Sequence, residues 1–168
     1  MEKSVLIAVT HTGTTVTGLE AKLSRWIYES DYKAELYFSN INPTYSNRNA
    51  CVKYFLDHTD HTHMLFIDSD IVPYENPLQL LAHEKHIVGG VYPRWKLNNY
   101  EWLAMKRLDD GSYIQLKPKK RKGLVECDGL GAGCLMMSRE VLSNIKAPFK
   151  DGIREDGTRG IGHDFLFC

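Results

Sequence analysis

The sequence predicts an α/β domain with a mostly parallel central sheet, flanking helices and a small antiparallel hairpin. Two short, continuous apolar runs, at 4–9 and 64–67, are typical of central parallel strands. Segments with apolar residues at helical spacing, at 17–30 and 45–58, alternate with such runs. Strands that alternate with helices favour a doubly wound sheet, whose ligands bind at the carboxyl ends of the strands.

Shorter patterns predict the remaining elements. These are strands at 33–39 and 87–92, helices at 76–83 and 139–145, and a hairpin over 100–116. The hairpin is expected to turn at Asp110-Gly111, because Asp-Gly is a favoured pair in tight turns between alternating segments. A glycine-rich loop, 128–133, precedes the apolar run 134–138.

Size and composition favour a single domain over 1–168. The 168 residues, 43% of them hydrophobic, are enough for one sizeable core and too few for two ordinary domains. An apolar pattern begins within 162–168, so we expect the domain to be truncated at its C-terminus. No feature of the sequence indicates an oligomeric state.

Charge and cysteine usage limit the classes of partner and compartment. The 21 basic and 21 acidic residues cancel, so we expect no nucleic-acid partner, and any charged partner must meet a local patch. The basic segment 117–122 is such a patch, and it is interpreted as a solvated loop, a peripheral contact with an anionic membrane, or a contact with an acidic acceptor.

Four cysteines without a CxxC pair, and an N-terminus without a signal-peptide pattern, predict a reduced, cytoplasmic protein.

Two carboxylates follow the second buried run directly. Residues two apart in an extended segment point to the same side, so Asp68 and Asp70 are expected to address one object beyond the sheet edge. Two like charges held close need a cation or a shared proton. Mg²⁺ or Mn²⁺ prefers such oxygen ligands and leaves places for phosphate oxygens, so the pair predicts a metal that bridges the protein to a diphosphate. The structural alternative is a turn or helix-capping pair.

Four segments together resemble one enzyme family. They are "MLFIDSDIV" at 64–72, "YSNRNACVKYFL" at 45–56, "VECDGLGAGCLMMSREVL" at 125–142 and "GHDFLFC" at 162–168. The first resembles the DxD motif of GT-A fold glycosyltransferases, and the others are similar, in order and spacing, to motifs of the family 2-like members. The resemblance implies a Rossmann-like GT-A sheet and a hexosyltransferase that uses a UDP- or GDP-sugar donor. It implies a carbohydrate, lipid-linked or protein acceptor.

The resemblance also implies roles for the acidic residues. Asp70, with Asp68 nearby and His163 in place of a more usual acid, would hold the Mn²⁺ or Mg²⁺ ion. Asp164 would be the general base that takes the proton from the acceptor hydroxyl, or would orient the donor if the enzyme retains configuration. The structural alternative for Asp164 is a favourable interaction with a helix dipole.

Other residues are expected to contact the nucleotide or the sugars. Nucleotide contacts are expected from Thr10, His11, Gly13, Arg48, Asp68 and Ser69, and sugar contacts from Arg94, Trp95, Asp128, Gly131 and Gly133. Each of these residues also has a purely structural interpretation. Residues 10–13 would form an ordinary β-to-α turn, Arg48 would be a solvated helix residue, Trp95 would belong to the core, and the glycines would form a tight turn. The run "GLGAG" lacks the third glycine of a dinucleotide fingerprint.

Two rival functions remain open from the sequence. Asp68-Ser-Asp70 also fits the nucleophile motif of haloacid dehalogenase-type phosphatases, with Asp68 attacking phosphorus and Asp70 as acid/base. That family carries the motif on its first strand, whereas two strand-helix units precede it here. The second rival is a non-catalytic protein that binds a sugar or nucleotide through a degenerate site.

Overall fold

The computed structural model of the chain describes residues 2–96, 99–117 and 123–150, with the backbone alone at Trp95, Lys96 and Asn99. Its strands are β1 Ser4–Thr10, β2 Lys33–Ser39, β3 His63–Asp68, β4 Ile87–Gly89, β5 Pro93–Lys96, β6 Asn99–Trp102, β7 Ala104–Arg107, β8 Tyr113–Gln115, β9 Gly129–Leu130 and β10 Cys134–Ser138. Its α-helices are α1 Leu19–Tyr28, α2 Thr44–His58 and α3 Arg139–Asn144, and Pro77–His83 is a 3₁₀ helix.

The chain forms two compact units. The first consists of Met1–Gly90 with Ala132–Phe149, and the second of Val91–Gly131 with Lys150–Cys168. A single domain over 1–168 stays a prediction.

A five-stranded mixed sheet forms the centre of the first unit, in the order β2-β1-β3-β10-β4. Strand β1 is parallel to β2 and to β3, and Thr10 pairs with Ser39 on one side and Asp68 on the other. All three strands therefore end at one edge, here called the carboxyl edge. Strand β10 is antiparallel to both β3 and β4, so its first residues lie at the same edge.

The fold is α/β as predicted, but the sheet is mixed rather than mostly parallel in its pairings. Parallel strands need a crossover connection, usually a helix. The chain between β4 and β10 forms short antiparallel strands, and none of its described residues is helical. It therefore returns to the sheet in the opposite direction.

The core lies on the two continuous apolar runs identified in the sequence. Residues Val5–Val9 of β1 and Met64–Ile67 of β3 are all essentially inaccessible to solvent. Helices cover them with the side chains that recur at helical spacing, among them Leu19, Leu23, Val52, Phe55 and Leu142. A strand buried on both faces reads as an uninterrupted apolar run, which explains why these two were visible in sequence.

The second unit contains the predicted hairpin and one that was not predicted. Strands β7 and β8 pair antiparallel, and the turn between them places Gly111 at φ 82° with Ser112 bonded to Asp110. Strand β9 pairs with the other side of β7, and β5 and β6 form a separate two-stranded sheet. The predicted strand 87–92 is shorter than expected, since it ends at Gly89.

Candidate functional site

Asp68 is the last residue of β3 and lies at the carboxyl edge with two side-chain partners. Thr10 Oγ1 donates to Asp68 Oδ1 at 3.0 Å from the neighbouring strand. Arg48 Nη2 lies 2.7 Å from Oδ1 and 3.0 Å from Oδ2. The Asp68 carboxylate is thus held by a cation and a hydroxyl while about a quarter of its side chain, 26%, stays exposed.

Arg48 is buried beneath this carboxylate. It lies in the second turn of α2, on the face that also presents Asn47 and Cys51 to the interior, and only 1% of its surface is exposed. The Phe149 ring covers the guanidinium, with its centroid 5.7 Å from Cζ. A buried guanidinium is costly unless it is paired, and Asp68 supplies the opposite charge. The reading of Arg48 as a solvated helix residue is therefore wrong.

Two asparagines on either side of Arg48 fix the helix that carries it. Asn47 Nδ2 donates to the Ser39 carbonyl at 2.9 Å, which ties α2 to the end of β2. The Asn49 side chain exchanges two hydrogen bonds with the Phe149 backbone, donating to its carbonyl at 2.7 Å and accepting from its N–H at 3.0 Å. No motif in the sequence indicated that Asn47, Asn49 or Phe149 belongs to the site.

Asp70 lies in a different environment from Asp68. The strand ends at Asp68, and a turn closed by the Ile71 N–H on the Asp68 carbonyl, at 3.0 Å, follows it. The extended geometry assumed for the Asp-Ser-Asp segment therefore stops at its first residue. The Asp70 side chain is exposed, and no side-chain bond joins it to any residue within 2–96, 99–117 or 123–150.

The loop after β1 lies against the Asp-Ser-Asp turn. The Ser69 N–H donates to the Thr10 carbonyl at 3.1 Å, and the Val16 N–H donates to the Ser69 carbonyl at 2.7 Å. Within the loop, Gly13 has φ 123°, a conformation that favours glycine, and its N–H donates to His11 Nδ1 at 3.1 Å. Thr10, His11 and Gly13 thus lie in or next to the loop that meets Ser69 at the carboxyl edge, and their expected contact with a nucleotide stays a prediction.

An aromatic pair borders the same loop. The His11 ring meets the Phe38 ring edge-on, with centroids 6.4 Å apart, and the His11 N–H donates to the Ser39 carbonyl at 3.0 Å. Phe38 itself is exposed. The ends of β1 and β2 therefore present a ring surface to solvent.

The start of β10 also reaches the carboxyl edge. The Asp68 N–H donates to the Gly133 carbonyl at 3.0 Å, so Gly133 adjoins the acidic turn. Gly131 belongs to the second unit, where an added Cβ would meet Tyr92 Oη at 2.6 Å and Leu103 Cβ at 2.9 Å. Close packing alone is enough to require glycine at position 131.

Arg94 and Asp128, which the sequence predicts to contact a sugar, form ion pairs within the second unit. Arg94 Nη2 pairs with Glu101 Oε2 at 2.7 Å across the β5–β6 hairpin. Asp128 accepts from the Arg107 N–H at 2.9 Å and pairs with Lys106 at 3.0 Å, and these partners lower the pKa of its carboxyl below the ordinary value. The Trp95 side chain and all of His163 and Asp164 lie outside the described residues.

At the carboxyl edge, the described side chains that could bind a metal cation are carboxylates and not thiolates. Within the described ranges, no three His, Cys, Asp or Glu side chains come together as a metal site. Burial raises the pKa of Cys51 and of Cys134 to about 11, so both are thiols at neutral pH. The group best placed to bind a hard cation is the exposed carboxylate of Asp70.

Comparison with known proteins defines the fold. No protein-family model matches the sequence, and no curated protein matches it either. Among solved structures, the chain is similar to the crystal structure of A197 from STIV, with 21% sequence identity and a TM-score of 0.63. The likeness covers 98% of this chain and 75% of A197, and at this identity it shows a common fold alone. In the part of the chain that the structure describes, no helix is long and apolar enough to cross a membrane.

Proposed function

We propose that the chain is a metal-dependent glycosyltransferase of the GT-A type, which transfers a sugar from a nucleoside-diphosphate donor to an acceptor hydroxyl. One observation carries the proposal: Asp68 is neutralised by buried Arg48, whereas Asp70, two residues later, is an exposed carboxylate at the same edge of the sheet. An exposed carboxylate that has no side-chain partner among the described residues, presented where α/β sheets bind ligands, is suited to a hard divalent ion.

In this proposal the two acidic residues have different tasks. Asp70 would ligate Mn²⁺ or Mg²⁺, which when bound neutralises the charge that develops on the departing diphosphate. Asp68, fixed by Arg48 and Thr10, would position the turn that carries Asp70. Arg48 therefore acts from beneath Asp68, in place of the phosphate contact that the sequence suggested.

The loop after β1 and the end of β2 would hold the nucleotide. The ring surface of His11 and Phe38 offers a stacking surface for a base, and the backbone bonds that join the loop to Ser69 connect it to the acidic turn. Asp164, as the general base, and His163, as a further metal ligand, belong to the proposal on the family resemblance alone.

Two features count against the phosphatase rival. Its nucleophile would be Asp68, but both oxygens of that carboxylate already accept from Arg48 and one also accepts from Thr10. Asp68 also ends the third strand along the chain, after two strand-helix units. A nucleophilic carboxylate needs a free oxygen aimed at the substrate.

The test is hydrolysis of nucleotide-sugar donors with an independent measurement of metal binding. The protein is incubated with UDP- and GDP-sugars and Mn²⁺, and nucleoside-diphosphate release is measured. Asp70→Ala is expected to lower release by at least about 100-fold, because the metal that stabilises the leaving group is lost. Mn²⁺ alone, titrated by electron paramagnetic resonance, should bind the wild type and not this variant.

A matched control tests whether the loss of any exposed carboxylate would have the same effect as the loss of Asp70. Asp31→Ala removes another exposed aspartate, far along the chain in the turn before β2, and should leave release and Mn²⁺ binding unchanged. Turnover of a phosphomonoester that is lost in Asp68→Asn would contradict the proposal in favour of the phosphatase. Donor binding without any release would instead identify a binding protein.

A further inference from the structure

The central sheet has two outer strands, and they differ in length. Strand β4 forms one edge with three residues, Ile87–Gly89, and β2 forms the other edge with seven, Lys33–Ser39. Among residues 2–96, 99–117 and 123–150, no strand pairs with the outer side of β2. Proteins commonly prevent pairing at an edge with a short strand, a proline or a bulge. Strand β2 has none of these, since it contains no proline and its register with β1 is unbroken.

The backbone of β2 has hydrogen-bonding groups that point away from β1. The Ser39 carbonyl accepts from the His11 N–H at 3.0 Å, so the backbone groups of Ser39 point toward β1. Because these directions alternate along a strand, the backbone groups of Ala34, Leu36 and Phe38 point to the outer side. Their N–H and carbonyl groups are thus available to a further strand.

Two opposite charges lie on one face of this edge strand. Lys33 and Glu35 are two residues apart, so their side chains point to the same face. Both residues are exposed, and 59% of the Glu35 side chain stays accessible although one of its oxygens lies 3.3 Å from His61 Nε2. Like charges would repel a second copy of the strand, whereas one cation and one anion can pair with it.

We infer that β2 pairs with β2 of a second copy of this chain, antiparallel about a twofold axis at Ala34, so that two five-stranded sheets join into one. In this register Lys33 lies opposite the partner's Glu35, and Glu35 lies opposite the partner's Lys33. Both are non-hydrogen-bonded positions, where the Cα atoms are about 4.5 Å apart and the side chains are closest. Ala34 lies opposite its own counterpart, and the two residues exchange backbone hydrogen bonds.

Charge selects this register from the neighbouring ones. A twofold axis at Glu35 would place two Glu35 carboxylates directly opposite each other, which is destabilising. An axis at Leu36 would place the neutral Ser39 and Tyr37 opposite the two charged residues, without an ion pair. Two identical ion pairs also identify the partner, because a twofold interface uses the same surface on both subunits. The inference does not depend on the proposed catalytic function.

Sedimentation equilibrium of the full chain and of charge-reversal variants tests the pairing. The wild type is expected to form a dimer. Lys33→Glu alone, or Glu35→Lys alone, places like charges opposite each other at both positions and should weaken dimerisation about tenfold. The two single variants mixed together should associate with each other, because every pair is again opposite in charge. The double variant that exchanges the two charges should dimerise as the wild type does.

Exposed charges elsewhere in the first unit supply matched controls. Lys85→Glu and Glu75→Lys change the net charge by the same amounts, and each alone should leave dimerisation unchanged. Mixed together, these two variants should associate no more tightly than the wild type does. Thermal unfolding should show that every variant folds.

Cysteine cross-linking tests the register. Cα atoms in a hydrogen-bonded antiparallel pair are about 5.5 Å apart, which is within the span of a disulfide. Under mild oxidation, Ala34→Cys should therefore form a covalent dimer that the wild type does not form. Leu36→Cys is the control and should not cross-link, because residue 36 lies opposite residue 32 of the partner subunit. A wild type that is monomeric at every concentration, cross-linking through Leu36→Cys, or control reversals that weaken dimerisation as much as the test reversals would overturn the inference.

Discussion

One arginine lies at each end of the strands of the central sheet. The two arginines differ in the groups that they bind. At the carboxyl edge, Arg48 pairs with the carboxylate of Asp68. At the opposite edge, Arg139 donates to the backbone carbonyls of Phe55, Leu56, Thr59 and His61, at 2.7 to 3.4 Å, and packs over the Phe55 ring. Arg139 thus satisfies the open carbonyls at the end of α2.

The difference distinguishes a structural arginine from one that serves a site. Every helix end needs donors for its last carbonyls, so the fold alone explains Arg139. A buried arginine-carboxylate pair adds little net stability compared with apolar residues of the same size. Its presence at the carboxyl edge is explained if Asp68 must be held at a fixed place next to Asp70.

Replacement of Arg48 should give the largest loss of stability. Arg48→Met leaves the partly buried Asp68 carboxylate without its cation, and we expect the free energy of unfolding to fall by about 3 to 5 kcal/mol. Chemical denaturation measures the change. The double variant Arg48→Met with Asp68→Asn should recover part of the loss, because the remaining side chain is neutral. A single-variant loss below about 1 kcal/mol would show that the pair is not buried as described.

Replacement of Arg139 should have the next largest effect. Arg139→Ala removes four carbonyl contacts and the packing on Phe55, and we expect a loss of about 2 to 3 kcal/mol. The control is Arg25→Ala, which breaks only an exposed pair with Glu29 on α1 and should leave the free energy of unfolding nearly unchanged. If the proposed function holds, Arg139→Ala should still bind the nucleotide-sugar donor below its unfolding temperature. Loss of donor binding by the folded variant would remove the distinction between the edges.

Removal of the Thr10 hydroxyl should cost less. Thr10→Val keeps the β-branched shape of a buried strand residue but deletes the donor to Asp68, and about 1 kcal/mol of stability should be lost. Thr15→Val, which deletes an exposed bond to Glu20, should change stability by no more than about 0.5 kcal/mol. Equal losses in the two variants would mean that Thr10 does not contribute to holding Asp68.

The smallest expected effect is a pH dependence at the edge that carries Arg139. Burial, and then the charges of Lys3 and His86, lower the pKa of His63 below its usual value near 6.5. The unfolded chain therefore binds a proton more readily than the folded one, so stability should fall as the pH drops through about 6.5 toward the lower folded pKa. His63→Gln should flatten this slope, measured by unfolding between mildly alkaline and mildly acidic pH. An unchanged slope in this variant would mean that His63 is not the source of the pH dependence.

Sequence patterns predicted the carboxyl edge better than its chemistry. Continuous apolar runs located β1 and β3, and this placed Asp68 at the end of a buried strand. The β5–β6 hairpin was missed because its strands are only four residues long. The direction of β10 was missed because an apolar run has no direction until its partner strand is known.

The partners within the site depend on contacts between residues far apart in the chain. From sequence alone, a charged residue inside a helix is ordinarily assigned to the solvent side. The burial of Arg48 is explained only by its pairing with Asp68, which lies 20 residues later in the chain. The pairing of Asn49 with Phe149 spans 100 residues, and no local pattern indicates it. The sequence therefore named Thr10 and Arg48 as site residues without indicating that they contact Asp68, and it did not indicate Asn49 or Phe149 at all.

The Asn49–Phe149 pair sets a limit on how far the chain can be shortened. The Asn49 side-chain amide satisfies both the N–H and the carbonyl of the Phe149 backbone. The Phe149 ring covers Arg48 and packs edge-on against Phe66. A chain cut after Lys150 keeps these contacts, whereas a cut before Phe149 exposes the guanidinium to water and leaves a gap over the sheet. A fragment that is to retain the core of the first unit must therefore extend at least through Phe149.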